Sequence, residues 1–222
     1  NSDIEKEQNE KRRAEIHFLQ AQITPHFLYN TLNSIKSLAR LKRTEDAADM
    51  TTSLISLLRL VNSGDEIITL SQELEYVKNY AAIMSFRRNR NFQIRAELDA
   101  GTENCRIPKF SLQPFVENSI IHGFSESGME NGNEEYQILV RAYFKESRLC
   151  VQVADNGKGF LTETIAEKPE ENGIRFSHIG MANVEERIHL YFGKEYGIKV
   201  DSTPGKGTVV YLTLPGKDSD NL

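Results

Sequence analysis

The chain has 222 residues, 39% of them apolar and 27% charged, which suits a soluble globular protein of one or two domains. Its 27 basic and 32 acidic residues give a net charge of −5, which argues against a broad nucleic-acid-binding face but leaves room for a small basic pocket taking a phosphorylated ligand. Cys105 and Cys150 make neither a metal motif nor a disulfide framework, so a reduced, cytosolic setting fits. No apolar run reaches the ~20 residues of a membrane helix, and no signal peptide is present. The chain begins at Asn1 rather than Met and is expected to be part of a longer protein.

Residues 3–22 are polar and free of Gly and Pro, and Ile16, Leu19 and Ile23 recur at helical steps, the pattern of the end of a coiled coil. Pro25 is expected to kink that helix. Beyond it, Phe27, Asn30, Ser34, Leu38 and Leu41 mark one face, and Leu28, Leu32, Ile35 and Ala39 a second. A second helix is expected from Thr44, as its cap, to Val61, with a stripe of Ala47, Met50, Leu54, Leu57, Leu58 and Val61. A helical hairpin with two apolar faces needs a partner, so a homodimer forming a four-helix bundle is expected. Asn62 to Asp65 is a stop and turn.

A third helix is expected over Ser71–Arg88, then a strand with Phe92, Ile94, Ala96 and Leu98. A helix over Pro108–His122 and a polar loop over Ser125–Glu135 follow. Two alternating strands come next, with Ile138, Val140, Ala142 and Phe144 in one and Leu149, Val151 and Val153 in the other. A long polar stretch, Phe160 to Ser177, precedes a helix over Ile179–Phe192 and two final strands, Ile198–Val200 and Val209–Leu214.

Three segments carry chemistry. Val151 to Phe160 is a strand running into D-x-G-x-G. The Asp155 carboxylate can accept a hydrogen bond from the exocyclic amine of adenine, where guanine offers a repelling oxygen. Gly157 and Gly159 allow close backbone approach; a D-N-G hairpin turn is the alternative. The helix Leu112–Gly123 presents Glu117, Asn118 and His122. An Asn amide oxygen suits Mg²⁺ and His122 can donate to a phosphate, the alternative being a polar helix stripe. In the segment His178–Arg187, a helix N-terminus with Gly180 offers N–H groups to phosphates, with Asn183 and Arg187 on one face; an ordinary amphipathic helix is the alternative. Gly205-Lys-Gly207-Thr208 precedes the last strand.

The ordered set resembles the ATP-binding domain of the GHKL (Bergerat-type) superfamily, shared by histidine kinases, gyrase-type topoisomerases, heat-shock chaperones and mismatch-repair ATPases. The resemblance covers about residues 108–214. Upstream, the P-H-F-L-Y-N-x-L-N string at residues 25–33 resembles the phosphoacceptor box of sensor histidine kinases of the LytS/YesM-like branch. The resemblance implies an α+β chain. Residues 1–65 would be a signalling coil and a dimeric helical hairpin, and residues 66–222 an α/β sandwich that binds ATP.

It further implies autophosphorylation on His26 with ATP and Mg²⁺, transfer to an aspartate of a response-regulator receiver domain, and no nucleic-acid partner. The chain would be the cytoplasmic portion of a bacterial membrane protein whose membrane-embedded sensor region lies upstream. By resemblance, Asp155 would hold adenine and Asn118 the Mg²⁺; His122, Asn183 and Arg187 would reach phosphates. Gly157, Gly159, Gly180, Gly205, Gly207 and Thr208 would line the phosphate and lid region.

Some positions depart from the family pattern. Phe27 follows the acceptor where many kinases place an acidic residue, which leaves Glu117 as candidate proton acceptor. Ile121 stands three residues after Asn118 where others carry Lys, so His122 is expected to take over that phosphate contact. Pro114 stands where chaperone and gyrase relatives carry a water-activating Glu, which favours transfer to a protein nucleophile over hydrolysis. His178 replaces the usual first Gly of the lid motif. Asn30, one turn past His26, occupies a place where a polar residue positions water for dephosphorylating the regulator, or is a plain helix amide. The other class of reading is an ATP-binding conformational switch, or a degenerate kinase without autophosphorylation.

Overall fold

The computed structural model describes residues 25–124, 136–161 and 174–216. The coil read over residues 3–22, the kink before Pro25, the loop at 125–135 and most of the polar stretch at 162–173 lie outside the described residues.

Helices α1 (Pro25–Arg40) and α2 (Thr44–Val61) form the expected hairpin. The turn between them needs left-handed backbone at Lys42, φ 60°. Ala47, Met50, Leu54 and Leu57 are buried along α2, as the apolar stripe predicts. Thr44 is not the cap: Arg43 occupies that position without a side-chain cap bond and pairs with Asp46 instead. On α1 the buried side chains are Thr31 and Leu38. Tyr29, Leu32, Leu41 and Ile55 stay exposed and leave apolar surface of the hairpin uncovered.

Strand β1 (Ile67–Thr69) pairs antiparallel with β3 (Arg106–Pro108). Each has three residues, too short for periodicity to reveal. Helix α3 (Leu70–Arg88) starts from a capping box, in which Thr69 Oγ1 accepts from Gln72 N and Gln72 Oε1 accepts from Thr69 N. Strand β2 (Phe92–Leu98) follows. The helix expected from Pro108 begins later, as α4 (Gln113–Asn118). Residues 106–108 are spent on β3, and Phe110 has φ 62°, a conformation no α-helix contains. Past Asn118 the helix widens into one π turn, Ser119–Gly123.

Strands β4 (Tyr136–Lys145), β5 (Arg148–Asp155), β6 (Gly197–Thr203) and β7 (Gly207–Pro215) complete a five-stranded sheet of order β2-β4-β5-β7-β6. Only β2 and β4 run parallel. Alternate residues Ile138, Val140, Ala142, Leu149, Val151, Val153, Val210, Leu212 and Leu214 are buried, so one face of the sheet carries the core. Helix α5 (Ile174–Phe192) buries Met181, Val184 and Ile188. The fold is α+β, with helices on one face of a mixed sheet. The buried apolar cluster runs unbroken from Leu38 and α2 through α3 to the sheet, so the hairpin and the sheet unit share a core.

Leu57 sits fully buried where α2 meets that shared core. Leu57→Ala is expected to cost about 2–5 kcal/mol, read as a lower urea midpoint with an unchanged m-value.

Candidate functional site

Asp155 ends β5 directly opposite Thr208 of β7. Its carboxylate ties three segments together. Oδ2 accepts from Ser119 Oγ at 2.8 Å, and Oδ1 accepts from the backbone N–H of Gly157 at 2.9 Å and of Thr208 at 3.2 Å. A carboxylate has about four acceptor sites, so room is left for one more donor, such as an exocyclic amine. Burial raises the Asp155 pKa, and the bonds from Ser119, Gly157 and Thr208 oppose that rise.

The loop after Asp155 is laced to its neighbours. Lys158 N donates to Gly123 O at 2.9 Å, and Gly205 N donates to Lys158 O at 2.6 Å. A Cβ at Gly157 would stand 2.7 Å from the carbonyl of Gly123, so no larger residue fits. Gly159, with φ 60°, lies against the carbonyl of Thr203, and Gly207 against that of Asp155. Gly205 has φ 77° and open space around it, as a turn residue. Thr208 Oγ1 bonds Ser202 Oγ at 3.0 Å. The D-x-G-x-G and G-x-G-T segments, 50 positions apart, thus form one floor with the π turn after Asn118.

Asn118 and Glu117 end α4, and His122 follows, half-buried, in the π turn. Burial lowers the His122 pKa, and the positive charges of Lys158 and Arg88 lower it further. The charges of Lys158 and Arg88 are thus felt at His122. Among the described residues no cluster of three or more His, Cys, Asp and Glu could hold a metal. A divalent ion here would rely on Asn118 and on ligand oxygens, the sparse protein coordination that Mg²⁺ accepts.

His26 is exposed in the first turn of α1, and the Asn30 amide nitrogen lies 2.9 Å from its Nε2. The same amide nitrogen lies 3.3 Å from Nδ1, and which ring nitrogen accepts from it depends on the tautomer. The next residue, Phe27, stacks on Tyr80 of α3 with centroids 5.4 Å apart. Tyr80 Oη donates to Glu117 Oε1 at 3.2 Å. Two side chains therefore connect the His26 turn to the helix bearing Asn118. Burial raises the Glu117 pKa, opposed by the Tyr80 bond.

Two expectations need correction. Arg187 does not reach toward phosphates. It is buried, and its guanidinium donates to the carbonyls of Lys109 and Phe110 and to that of Asn183. Beside it the fully buried Glu73 accepts from Phe110 N at 2.8 Å and Leu112 N at 2.9 Å. Gly180 is not at a helix N-terminus, because α5 already begins at Ile174. Its missing side chain instead brings α5 close to α4, where a Cβ would stand 3.3 Å from Pro114 Cβ. Asn183 is half-buried one turn before Arg187. Sequence reasoning missed Ser119, Lys158, Arg88 and Tyr80. Ser119 was findable as the hydroxyl next to Asn118; the others depend on contacts between distant segments.

Residues 14–92 match the family model described as histidine kinase, and residues 110–218 match the one described as histidine kinase-, DNA gyrase B-, and HSP90-like ATPase. The chain belongs to the histidine kinase family. It is 35% identical over 205 residues to the sensor histidine kinase YesM of Bacillus subtilis, covering 92% of this chain and 34% of that protein. It is 31% identical to the sensor histidine kinase BtsS of Escherichia coli, covering 93% of this chain and 34% of the relative. It is also 31% identical to the sensor protein LytS of Staphylococcus saprophyticus, covering 92% of this chain and 34% of the relative. The chain thus spans about a third of the length of these relatives. Its ATPase segment is of the kind that binds ATP. Among the described residues no helix is long and apolar enough to cross a membrane.

Because the Asp155 pKa is raised in the folded state, the folded protein holds that proton more tightly than the unfolded chain. The associated stability is present at acid pH and is lost as pH rises through the folded pKa. Asp155→Asn carries no such loss. Its melting temperature relative to wild type is expected to climb between pH 4 and pH 8, while the thermal shift produced by ATP in the wild type disappears. Differential scanning calorimetry with and without nucleotide reads both effects.

Proposed function

We propose that this chain is the phosphotransfer and ATP-binding region of a dimeric sensor histidine kinase. It moves the γ-phosphoryl group of ATP to His26, from which the group passes to an aspartate of a response-regulator receiver domain. The observation that carries this reading is the Phe27–Tyr80–Glu117 contact chain, which joins the acceptor turn to the Asn118 helix within one molecule.

Asp155 accepts the adenine amine. His122, Lys158 and Arg88 meet the phosphates, and Asn118 holds Mg²⁺. The ion, when bound, neutralises charge on the phosphoryl oxygens. Asn30 fixes the His26 ring. Formation of the N–P bond requires the ring to release its proton, and Glu117, made more basic by burial, is the acceptor closest to the contact chain. Pro114 supports transfer over hydrolysis, since it is buried at the start of α4 and offers no carboxylate to water. Residues 1–65 would dimerise and relay the signal, residues 66–222 would bind ATP, and the whole would lie on the cytoplasmic side of a membrane. The uncovered Tyr29, Leu32, Leu41 and Ile55 support a four-helix bundle between two copies.

Incubation with Mg-ATP is expected to add one phosphate, labile in acid and stable in alkali, that is absent from His26→Gln by intact mass. ATP binding without that phosphate would sink the reading and favour a switch domain. Ile55→Glu is expected to shift the chain from dimer to monomer in sedimentation, because it puts charge on the uncovered apolar surface.

A further inference from the structure

Arg87, in the last turn of α3, pairs with no carboxylate among the described residues. Its guanidinium carbon stands 5.5 Å from the centroid of the Phe27 ring, and its one hydrogen bond is a long contact to Met84 Sδ at 3.6 Å. Burial disfavours its charged form, and the neighbouring Arg88 adds to that. A half-buried guanidinium resting on an aromatic face is a cation with donors to spare.

The groove that Arg87 enters is lined on the α1 side by Asn30, Asn33, Ser34 and Ser37. Among the described residues its polar walls are amides, hydroxyls and this one guanidinium, with no acidic side chain. Asn30, in that wall, is the residue bonded to the His26 ring. The two consecutive arginines divide their work. Arg88 acts electrostatically on His122, on the nucleotide side, while Arg87 lies over the residue that follows the acceptor.

We infer that Arg87 is the counter-ion of the phosphoryl group carried by His26, with the Asn30 amide as its hydrogen-bonding companion. This rests on the reading of His26 as acceptor. A phosphoryl group on His26 brings between one and two negative charges beside Asn30, which lines the groove whose cation, among the described residues, is Arg87. A planar guanidinium can grip two of its oxygens at once. Before transfer, Arg87 rests on the Phe27 ring, a contact weak enough to leave.

The test avoids ATP, so it stands apart from the kinase reading. Phosphoramidate phosphorylates histidine directly: its P–N bond breaks, an N–P bond to the imidazole forms, and ammonia leaves with the ring proton. The ³¹P signal missing from treated His26→Gln belongs to His26 among the five histidines. Its titration gives the last ionisation of the phosphoryl group. The other ionisable groups facing Arg87 are Tyr80 and Arg88 on α3, with His26 on α1.

In the wild type the phosphoryl group is expected to bind that last proton about tenfold more weakly than in Arg87→Gln. Arg87→Lys, which keeps the charge and the stem, is expected to recover most of the difference, and Arg88→Gln to leave it unchanged. Equal titrations in wild type and Arg87→Gln overturn the role of Arg87 and leave the kinase reading standing. A tenfold difference in a chain that ATP never phosphorylates supports Arg87 and overturns the kinase reading. Should Arg87→Gln fail to fold, Arg87→Lys decides: a titration matching wild type supports the counter-ion, and one tenfold tighter overturns it.

Discussion

Glu73 and Arg187 grip opposite sides of the same short backbone, residues 109–112, from within the core. The carboxylate takes the N–H groups of Phe110 and Leu112, and the guanidinium takes the carbonyls of Lys109 and Phe110. Between them Phe110 sits at φ 62°, a left-handed conformation that costs a bulky residue about 1–2 kcal/mol. Hydrogen bonds to charged groups contribute about 1.5–3 kcal/mol each, so the grip outweighs the strain. The bend delivers the chain into α4, and so sets where Glu117 and Asn118 stand. Removing either side chain would leave buried backbone groups of this bend unpaired, at about 1–3 kcal/mol each.

Helix α3 gives this arrangement its geometry. Glu73, Tyr80 and Arg87 recur every seven residues, about two turns or ~10 Å apart, on nearly one face. The first fixes the approach to the Asn helix, the second touches both that helix and the acceptor turn, and the third lies over the residue after His26. One straight helix thus sets the spacing between nucleotide floor and acceptor.

Much of this was legible in the sequence. Alternation in β4 and β5 named Ile138, Val140, Ala142, Leu149, Val151 and Val153, which the sheet buries, but also Phe144, which stays exposed near the strand end, and the apolar stripe of α2 named its seam. The glycines of D-x-G-x-G and G-x-G-T were read as ligand approaches. Gly157, Gly159 and Gly207 are first required by backbone packed on backbone, a relation between segments about 50 positions apart, whereas Gly205 is a turn residue in open space. Arg187 shows why periodicity misleads. Spacing put it on one face with Asn183, but it also falls in step with Met181, Val184 and Ile188, the stripe that α5 buries. A charge inside an apolar stripe was the available signal of a buried strut. The short strands β1 and β3 and the late start of α4 left no signal, since each depends on partners and on one residue's φ.

Lys109 gives the same bend a second attachment. Its ammonium group donates to Val61 O, the last residue of α2, at 3.1 Å and to Ser63 Oγ at 3.3 Å. Its carbonyl is one of those that Arg187 holds. A slide of α2 by one residue's rise, ~1.5 Å, is enough to break both lysine bonds. Bonds of that kind are worth about 1.5–3 kcal/mol each, so the end of α2 is pinned to the bend that leads into α4.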